Sequence, residues 1–322
     1  MNFQLTVVQI DIKPNQRNAA LSIFNVLFDP ILPVFTIMAL GFFLGRTGKA
    51  TVDDARLINR FAMTVFLPIL LFGLIAQAPI HTFNITPVLV YAGVEGSLFV
   101  IGFILAFRLF NRPADESVLL AFCGVFANNA FFVLPISVLL YGAEHVLAIT
   151  TIITLDATFT FAGVIIVLQV INLGKITPVS VALSIIKMPL IQAVVLGVFA
   201  SLLRISIPDS IQTFLSFNGA AAAPLALFAI GIVLSGTKFS ISPMILTFST
   251  LKLAIFPLAI WGGLELMAPG NPERSLFLLG AAGPAGTVAF SLALLHGVKT
   301  DAIAQIVILT SILSLFSLAY LA

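Results

Sequence analysis

The stretch Phe126-Ala127-Asn128-Asn129-Ala130-Phe131-Phe132-Val133-Leu134-Pro135 sets two adjacent amides inside an apolar run, six residues before a proline. Proline has no N–H to donate and clashes with the carbonyl four residues back, so it frees backbone polar groups inside a helix. Where the surroundings are lipid, such groups find partners only against protein or in a water-filled cavity. A second stretch, Gly280-Ala281-Ala282-Gly283-Pro284-Ala285-Gly286-Thr287, has three glycines around one proline and makes a poor continuous helix. Helix starts at such breaks present positive dipole ends, which suit an anion. The chemistry on offer is the binding of a small anionic group. Its candidate contacts are the amides of Asn128 and Asn129, the helix ends at Pro135 and Pro284, and the Thr287 hydroxyl. Two plainer roles fit the same residues: amides that glue helices together, and small residues that let helices pack closely.

Three ionisable residues lie in the middle of apolar segments: Glu95, Asp156 and Lys252. A charge near a bilayer centre costs at least ~2.5–3.5 kcal/mol, so such residues face inward, pair, or line a path. Glu95 follows Pro87 by eight residues and Lys252 follows Pro243 by nine. The two are near-equivalents, and either an ion pair between them or a role toward a proton or substrate fits. Glu95 and Asp156 are candidates to carry a proton or to steady the unloaded state, and Lys252 to hold Glu95 or balance an anion. Glu265 falls near the end of its segment, and His81, His145 and His296 map to segment ends, where interfacial roles fit better than ligation. The single cysteine, Cys123, sits in an apolar run with no CxxC spacing nearby. It reads as an inert buried thiol, and no metal or cofactor is expected.

The elements that must position these residues follow from composition. The chain has 322 residues, of which 60% are hydrophobic and 9% charged, with a mean hydropathy of +1.16. Soluble domains carry about 25% charged residues. This is an all-α polytopic membrane protein, which excludes a cytosolic enzyme, a nucleic-acid binder and a secreted domain. A net charge of +2 with no basic run gives no phosphate-tracking patch. Ten apolar segments are predicted: 27–46, 57–77, 86–109, 117–141, 146–171, 188–204, 210–235, 243–267, 275–296 and 302–322. Residues 1–25 read as a tail whose order of charge and hydrophobicity is wrong for a signal peptide, or as sequence ahead of the true start. The stretch Gly48–Arg60, with Asp53, Asp54, Arg56 and Arg60, reads as a capped amphipathic helix start with no chemistry of its own.

The halves 26–172 and 173–322 repeat features in one order. Pro33 precedes Gly41 by eight residues, as Pro189 precedes Gly197. Pro68-Ile69-Leu70-Leu71-Phe72 matches Pro224-Leu225-Ala226-Leu227-Phe228. Asn129 lies thirteen residues before Gly142, and Pro284 thirteen before Gly297, so the two interruptions correspond. Five helices per copy is an odd number, so the second copy starts from the opposite side and the repeats are inverted. Inverted repeats with interrupted helices at corresponding places are the build of secondary transporters. Chance likeness between apolar helices is the plainer reading. Ten loop Lys and Arg fall on one side and four on the other, which puts the first side in the cytoplasm and both termini outside.

These residues resemble the auxin efflux carrier family of membrane transporters, in its bacterial branch, over about residues 27–322. The likeness rests on Ile31-Leu32-Pro33-Val34-Phe35 with Gly41-Phe42-Phe43-Leu44-Gly45-Arg46, then Asn59-Arg60, Leu67-Pro68 and Leu71-Phe72. It continues through Asn128-Asn129-Ala130-Phe131 with Leu134-Pro135, Pro224 to Phe228 with Gly231, Lys252-Leu253 with Pro257, and Pro284 with Ala289-Phe290. The resemblance implies ten transmembrane helices in two inverted five-helix repeats. Helices one, two, six and seven would form a scaffold, and helices four and nine would be broken and cross at their breaks. It also implies carriage of organic anions, such as small dicarboxylates in bacterial members and indole-acetate in plants. Asn128, Asn129 and Pro135 match the crossing of helix four, and Pro284 that of helix nine. Where relatives often have Asn, this chain has Val288, and Thr287 stands in.

The expected function is a secondary carrier for a small organic anion in a bacterial inner membrane, with a proton or sodium as possible coupling ion and a possible homodimer through the scaffold. A passive anion channel is the alternative, since broken helices also line pores. An enzyme is not expected: no Ser/His pair, HExxH or Asp-rich lipid-transferase motif occurs.

Overall fold

Apolar runs of about twenty residues make helices in a bilayer because the helix satisfies its own backbone. The computed structural model describes residues 35–77, 84–142, 147–173, 186–236 and 240–321, and each of the ten apolar segments is helical there. The helices are α1 Phe35–Arg46, α2 Val52–Gln77, α3 Ile85–Leu109, α4 Ala114–Val125, α5 Asn129–Tyr141 and α6 Leu147–Ile171. The second half has α7 Pro189–Leu202, α8 Asp209–Gly236, α9 Pro243–Met267, α10 Arg274–Ala282, α11 Val288–His296 and α12 Asp301–Leu321. Six of them, α2, α3, α6, α8, α9 and α12, are long and apolar enough to cross a membrane. The tail 1–25, His81 and His145 lie outside the described residues, and His296 is the last residue of α11.

Helix starts follow their caps. The Thr51 hydroxyl accepts from Asp54 N–H at 3.2 Å, and the Asp54 carboxylate accepts from Thr51 N–H at 2.8 Å. This capping box starts α2 at Val52. The amphipathic stretch and the second apolar segment are therefore one unbroken helix, five residues longer than hydropathy alone gives. Asn84 caps α3 through Thr86 N–H, and Ser242 caps α9 through Ile245 N–H.

The fourth segment is split into α4 and α5, and the ninth into α10 and α11. The break in the fourth lies at Phe126–Asn128, ahead of Pro135. Pro135 sits inside α5, directly after the π turn Asn129–Val133. The wider turn gives the proline ring room, so no second break forms. The break in the ninth runs over Gly283–Thr287 and contains Pro284.

The helices pack in two groups. In one, α7 and the first half of α8 lie against the second half of α2, and the second half of α8 lies against its first half. In the other, α3, α4, α6, α9, α10 and α12 pack on one another. Within the first group a close approach recurs. A Cβ placed on Gly41 of α1 would fall on the carbonyl of Phe228 in α8. A Cβ on Gly197 of α7 would meet Ile75 at 3.0 Å and the carbonyl of Phe72 in α2 at 3.4 Å. Gly41 and Gly197 occupy matching places in the two halves, and so do Phe228 and Phe72. Gly41 thus packs on the Phe228 carbonyl, and Gly197 on Ile75 and the Phe72 carbonyl.

Gly41→Ala should destabilise the protein by about 1–3 kcal/mol, because the new methyl meets backbone that cannot swing away. Gly93→Ala, with open space around it, should cost nothing. Thermal unfolding of the purified protein in detergent checks both, with a lower midpoint expected for Gly41→Ala alone.

Candidate functional site

The two breaks meet. Ala127 and Ala285 form an isolated antiparallel bridge. Asn128 N–H donates to the Pro284 carbonyl at 2.8 Å, and Gly286 N–H donates to the Phe126 carbonyl at 2.9 Å. Helix α12 satisfies part of what the second break leaves over. The Thr310 hydroxyl accepts from Ala285 N–H at 3.1 Å, and the Ser317 hydroxyl donates to the Ala282 carbonyl at 3.2 Å. Backbone that would be costly in lipid is thereby paired.

Beside the bridge lies a small cavity of about 50 Å³, lined by residues 126–131 together with Met63, Leu67, Ile153, Asp156, Phe161, Leu190 and Val288. Asn128 and Asn129 are buried and reach it at the start of α5, where the first backbone N–H groups lack helical partners. Its walls are otherwise apolar apart from Asp156. A small ligand here would be held by amide and backbone donors rather than by a cation.

Behind the amides is a buried charge cluster. The Asn129 side-chain amide donates to Asp156 Oδ2 at 3.1 Å, and the Thr160 hydroxyl donates to Glu95 Oε2 at 3.1 Å. Lys252 Nζ donates to the Ala281 carbonyl at 2.6 Å and lies 4.9 Å from the centre of the Phe256 ring. Glu95, Asp156 and Lys252 are each at most 2% exposed and interact electrostatically. No ion pair in contact distance joins Lys252 to either carboxylate among the described residues; the lysine is tied instead to the last turn of α10. The cluster therefore touches both interrupted helices, one through Asn129 and the other through Ala281. The Glu95 and Asp156 carboxyl groups also interact directly with each other, and the Tyr91 hydroxyl with the Asn129 side chain. Asn129, Asp156 and Lys252 each lie in a π turn: Asn129–Val133, Asp156–Phe161 and Leu251–Ile255. Such turns recur at functional sites because they free backbone groups and re-aim side chains.

A larger cavity of about 670 Å³ shares Met63, Phe161 and Val288 with the small one. It opens between α2, α8, α11 and α12. Thr287 lines this outer cavity and not the inner one, and Pro135 lines neither. Pro284 acts through its carbonyl at the bridge. Sequence alone does not single out Tyr91 and Thr160, although a signal exists: Tyr91 is four residues before Glu95 and Thr160 four after Asp156, one helical turn in each case.

Two interrupted apolar helices joined back to back, with polar groups converging on the joint, point to transport. Residues 26–322 match a family model described as "Membrane transport protein", the auxin efflux carrier-type transporters. The chain belongs to this family. A relative in Rhizobium meliloti (strain 1021), whose name proposes it as a malonate transporter, is 24% identical over 292 residues, 88% of this chain and 91% of the relative. The "Uncharacterized transporter YfdV" of Escherichia coli (strain K12) is 27% identical over 268 residues, covering 79% and 84% of the two chains. An "Uncharacterized transporter" of Methanothermobacter thermautotrophicus is 25% identical over 301 residues, covering 92% and 97%. With this family, the apolar helices make the protein an integral membrane transporter.

Removing the cation of this transporter's cluster leaves two carboxylates facing each other in the dry interior. Lys252→Met should cost about 3–5 kcal/mol, as breaking a buried charge group does. Adding Asp156→Asn should recover part of that loss. Thermal unfolding in detergent checks this; a double variant no more stable than Lys252→Met would show that the three groups do not act as one cluster.

Proposed function

We propose that this transporter is a secondary carrier that moves a small organic anion, a carboxylate, across the membrane by alternating access. The observation that carries the proposal is the antiparallel joint at Ala127 and Ala285 beside a cavity that Asn128 and Asn129 line at the start of α5. Helix starts and amides hold a carboxylate without burying a permanent cation. The matching contacts of Gly41 and Gly197 support an architecture of two inverted five-helix repeats in ten transmembrane helices. The two packing groups support a scaffold of α1, α2, α7 and α8 carrying a mobile unit of the rest. A homodimer through that scaffold fits the same division. The excess of Lys and Arg on one side supports a cytoplasmic face there, with both termini outside and the inner membrane as the site. The name of the Rhizobium meliloti relative makes malonate the first substrate to try.

The cluster of Glu95, Asp156 and Lys252 is the candidate coupling site. Two ionised carboxylates and one ammonium leave one negative charge, which a single proton cancels. A proton held there would move with the unit that α5 and α10 belong to. Sodium remains the other candidate coupling ion. The protein acts here as a carrier and not as an enzyme.

Proteoliposomes offered labelled malonate, malate and monocarboxylates, with and without an imposed pH gradient, test the proposal. Saturable uptake with counterflow is expected, and Asn128→Ala or Asn129→Ala should lower it at least tenfold. Uptake that follows the gradient and stops in Glu95→Gln places the proton at the cluster. Flux without counterflow would make the protein a channel. Wild-type rates in folded Asn128→Ala and Asn129→Ala would remove the substrate from the joint.

A further inference from the structure

The outer cavity has a polar wall that the carrier mechanism above does not use. Arg56, Asn59, Arg60, Met63 and Thr64 all line it. Their spacing, at intervals of three and four residues, stacks them on one face of α2. That helix runs unbroken from the capping box at Thr51, so the polar first turns and the apolar later turns share one axis, and the polar face is carried inward to the cavity. No acidic side chain lines the cavity. Arg56 is paired with Asp53 at 2.7 Å, but both are exposed, the aspartate at 85%. Such a surface pair is weak and leaves most of the guanidinium free. Arg60 has no carboxylate partner among the described residues; its guanidinium lies 5.6 Å from the centre of the Phe61 ring. The side-chain oxygen of Asn59 is buried with no hydrogen-bond partner. Oxygen and nitrogen of an amide exchange places by a flip, so this end can offer a donor as readily as an acceptor. The opposite walls, with Ile230, Val233 and Val307, are apolar.

We propose that this face of α2 is a second anion site, a vestibular station in which Arg60, Arg56 and Asn59 take the carboxylate of a small organic anion while the apolar walls take its carbon skeleton. The inner cavity holds no cation and contains Asp156. Electrostatic capture is therefore confined to the vestibule, and Met63, Phe161 and Val288 separate this station from the amides at the joint. Guanidinium groups pair with carboxylates through two parallel hydrogen bonds, and a cleft lined by one sign of charge concentrates the opposite ion. The site stands on its own geometry; only its service to transport rests on the carrier reading.

The test uses Thr64→Cys, one turn from Arg60 on the cavity wall. The native Cys123 is fully buried and stays silent. The probes are two membrane-impermeant methanethiosulfonates, one with a sulfonate and one with a trimethylammonium group, with malonate as competitor. At low ionic strength the anionic reagent should modify Cys at position 64 several-fold faster than the cationic one, relative to a free thiol. Arg60→Gln should erase most of that preference, Arg60→Lys should keep it, and malonate should slow labelling only where the cation remains. A preference unchanged in the Arg56→Gln, Arg60→Gln double variant would overturn the site. Liposomes that accumulate no carboxylate while Arg60-dependent labelling persists would sink the carrier reading alone. Transport with labelling indifferent to charge would sink the vestibular site alone.

Discussion

A backbone break inside a bilayer leaves N–H and C=O groups that cost several kcal/mol each when unpaired. That constraint organises the centre of this molecule. Asn128 N–H and the Phe126 carbonyl find Pro284 and Gly286; Ala285 N–H finds Thr310; the carbonyls of Ala281 and Ala282 find Lys252 and Ser317. Neither break is viable by itself, since each supplies the other's partners. The two halves of the chain must therefore come together at this joint, whatever else differs between them. Any motion that carries α5 must also carry α10, α11 and α12, because separating them would expose the same groups again.

The charge cluster is bound to the joint in the same way. Asp156 takes a hydrogen bond from Asn129, and Lys252 gives one to the end of α10. The first tether ends two residues from the bridge and the second four. A change of charge at Glu95 or Asp156 thus alters the pull on the amide that faces the inner cavity, without a long relay through the fold. One side chain, Asn129, is thus shared by the charge cluster and the inner cavity, which is what the proposed coupling of a proton to a substrate needs. The aromatic setting of Lys252 against Phe256, with Tyr91 packed on the same ring at 5.4 Å, keeps water from screening that effect.

How much of this was legible in the sequence depends on which rule governs each residue. Asn128, Asn129 and Pro284 stand out because polar groups and helix breakers in a twenty-residue apolar run violate a strong rule of membranes. Pro135 was credited with the break in the fourth segment, and the break lies ahead of it, because a π turn absorbs a proline without interrupting a helix. The near-equivalent positions of Glu95 and Lys252 leave both an ion pair and a role toward a proton or substrate open, and sequence cannot foresee that the Ala281 carbonyl takes the ammonium. Tyr91 and Thr160 do not stand out in sequence, because a hydroxyl one turn from a carboxylate is common, and only the fold brings the Thr160 hydroxyl onto Glu95. Arg56 and Arg60 read as part of a capped amphipathic helix start, since they fall at the edge of the second apolar segment. Only the continuity of α2 from Thr51 shows that their face lines a cavity.

The distribution of charge along the route has a consequence for a carrier. Cations are present in the outer cavity and absent from the inner one, where an aspartate replaces them. In the proposed carrier, an anion would be drawn to the vestibule by guanidinium groups and then held at the joint by neutral amides and helix-start N–H groups alone. Hydrogen bonds of that kind contribute about 0.5–1.5 kcal/mol each, far less than a buried ion pair would demand to be broken. A site that must release its substrate on the opposite side at every cycle benefits from such weak, directional contacts. A cation at the joint would bind more tightly and, when empty, would be an uncompensated buried charge. On that proposal, attraction at the mouth and neutral recognition at the centre would remove both problems, and would leave Asp156, through Asn129, to set when the centre is competent to bind.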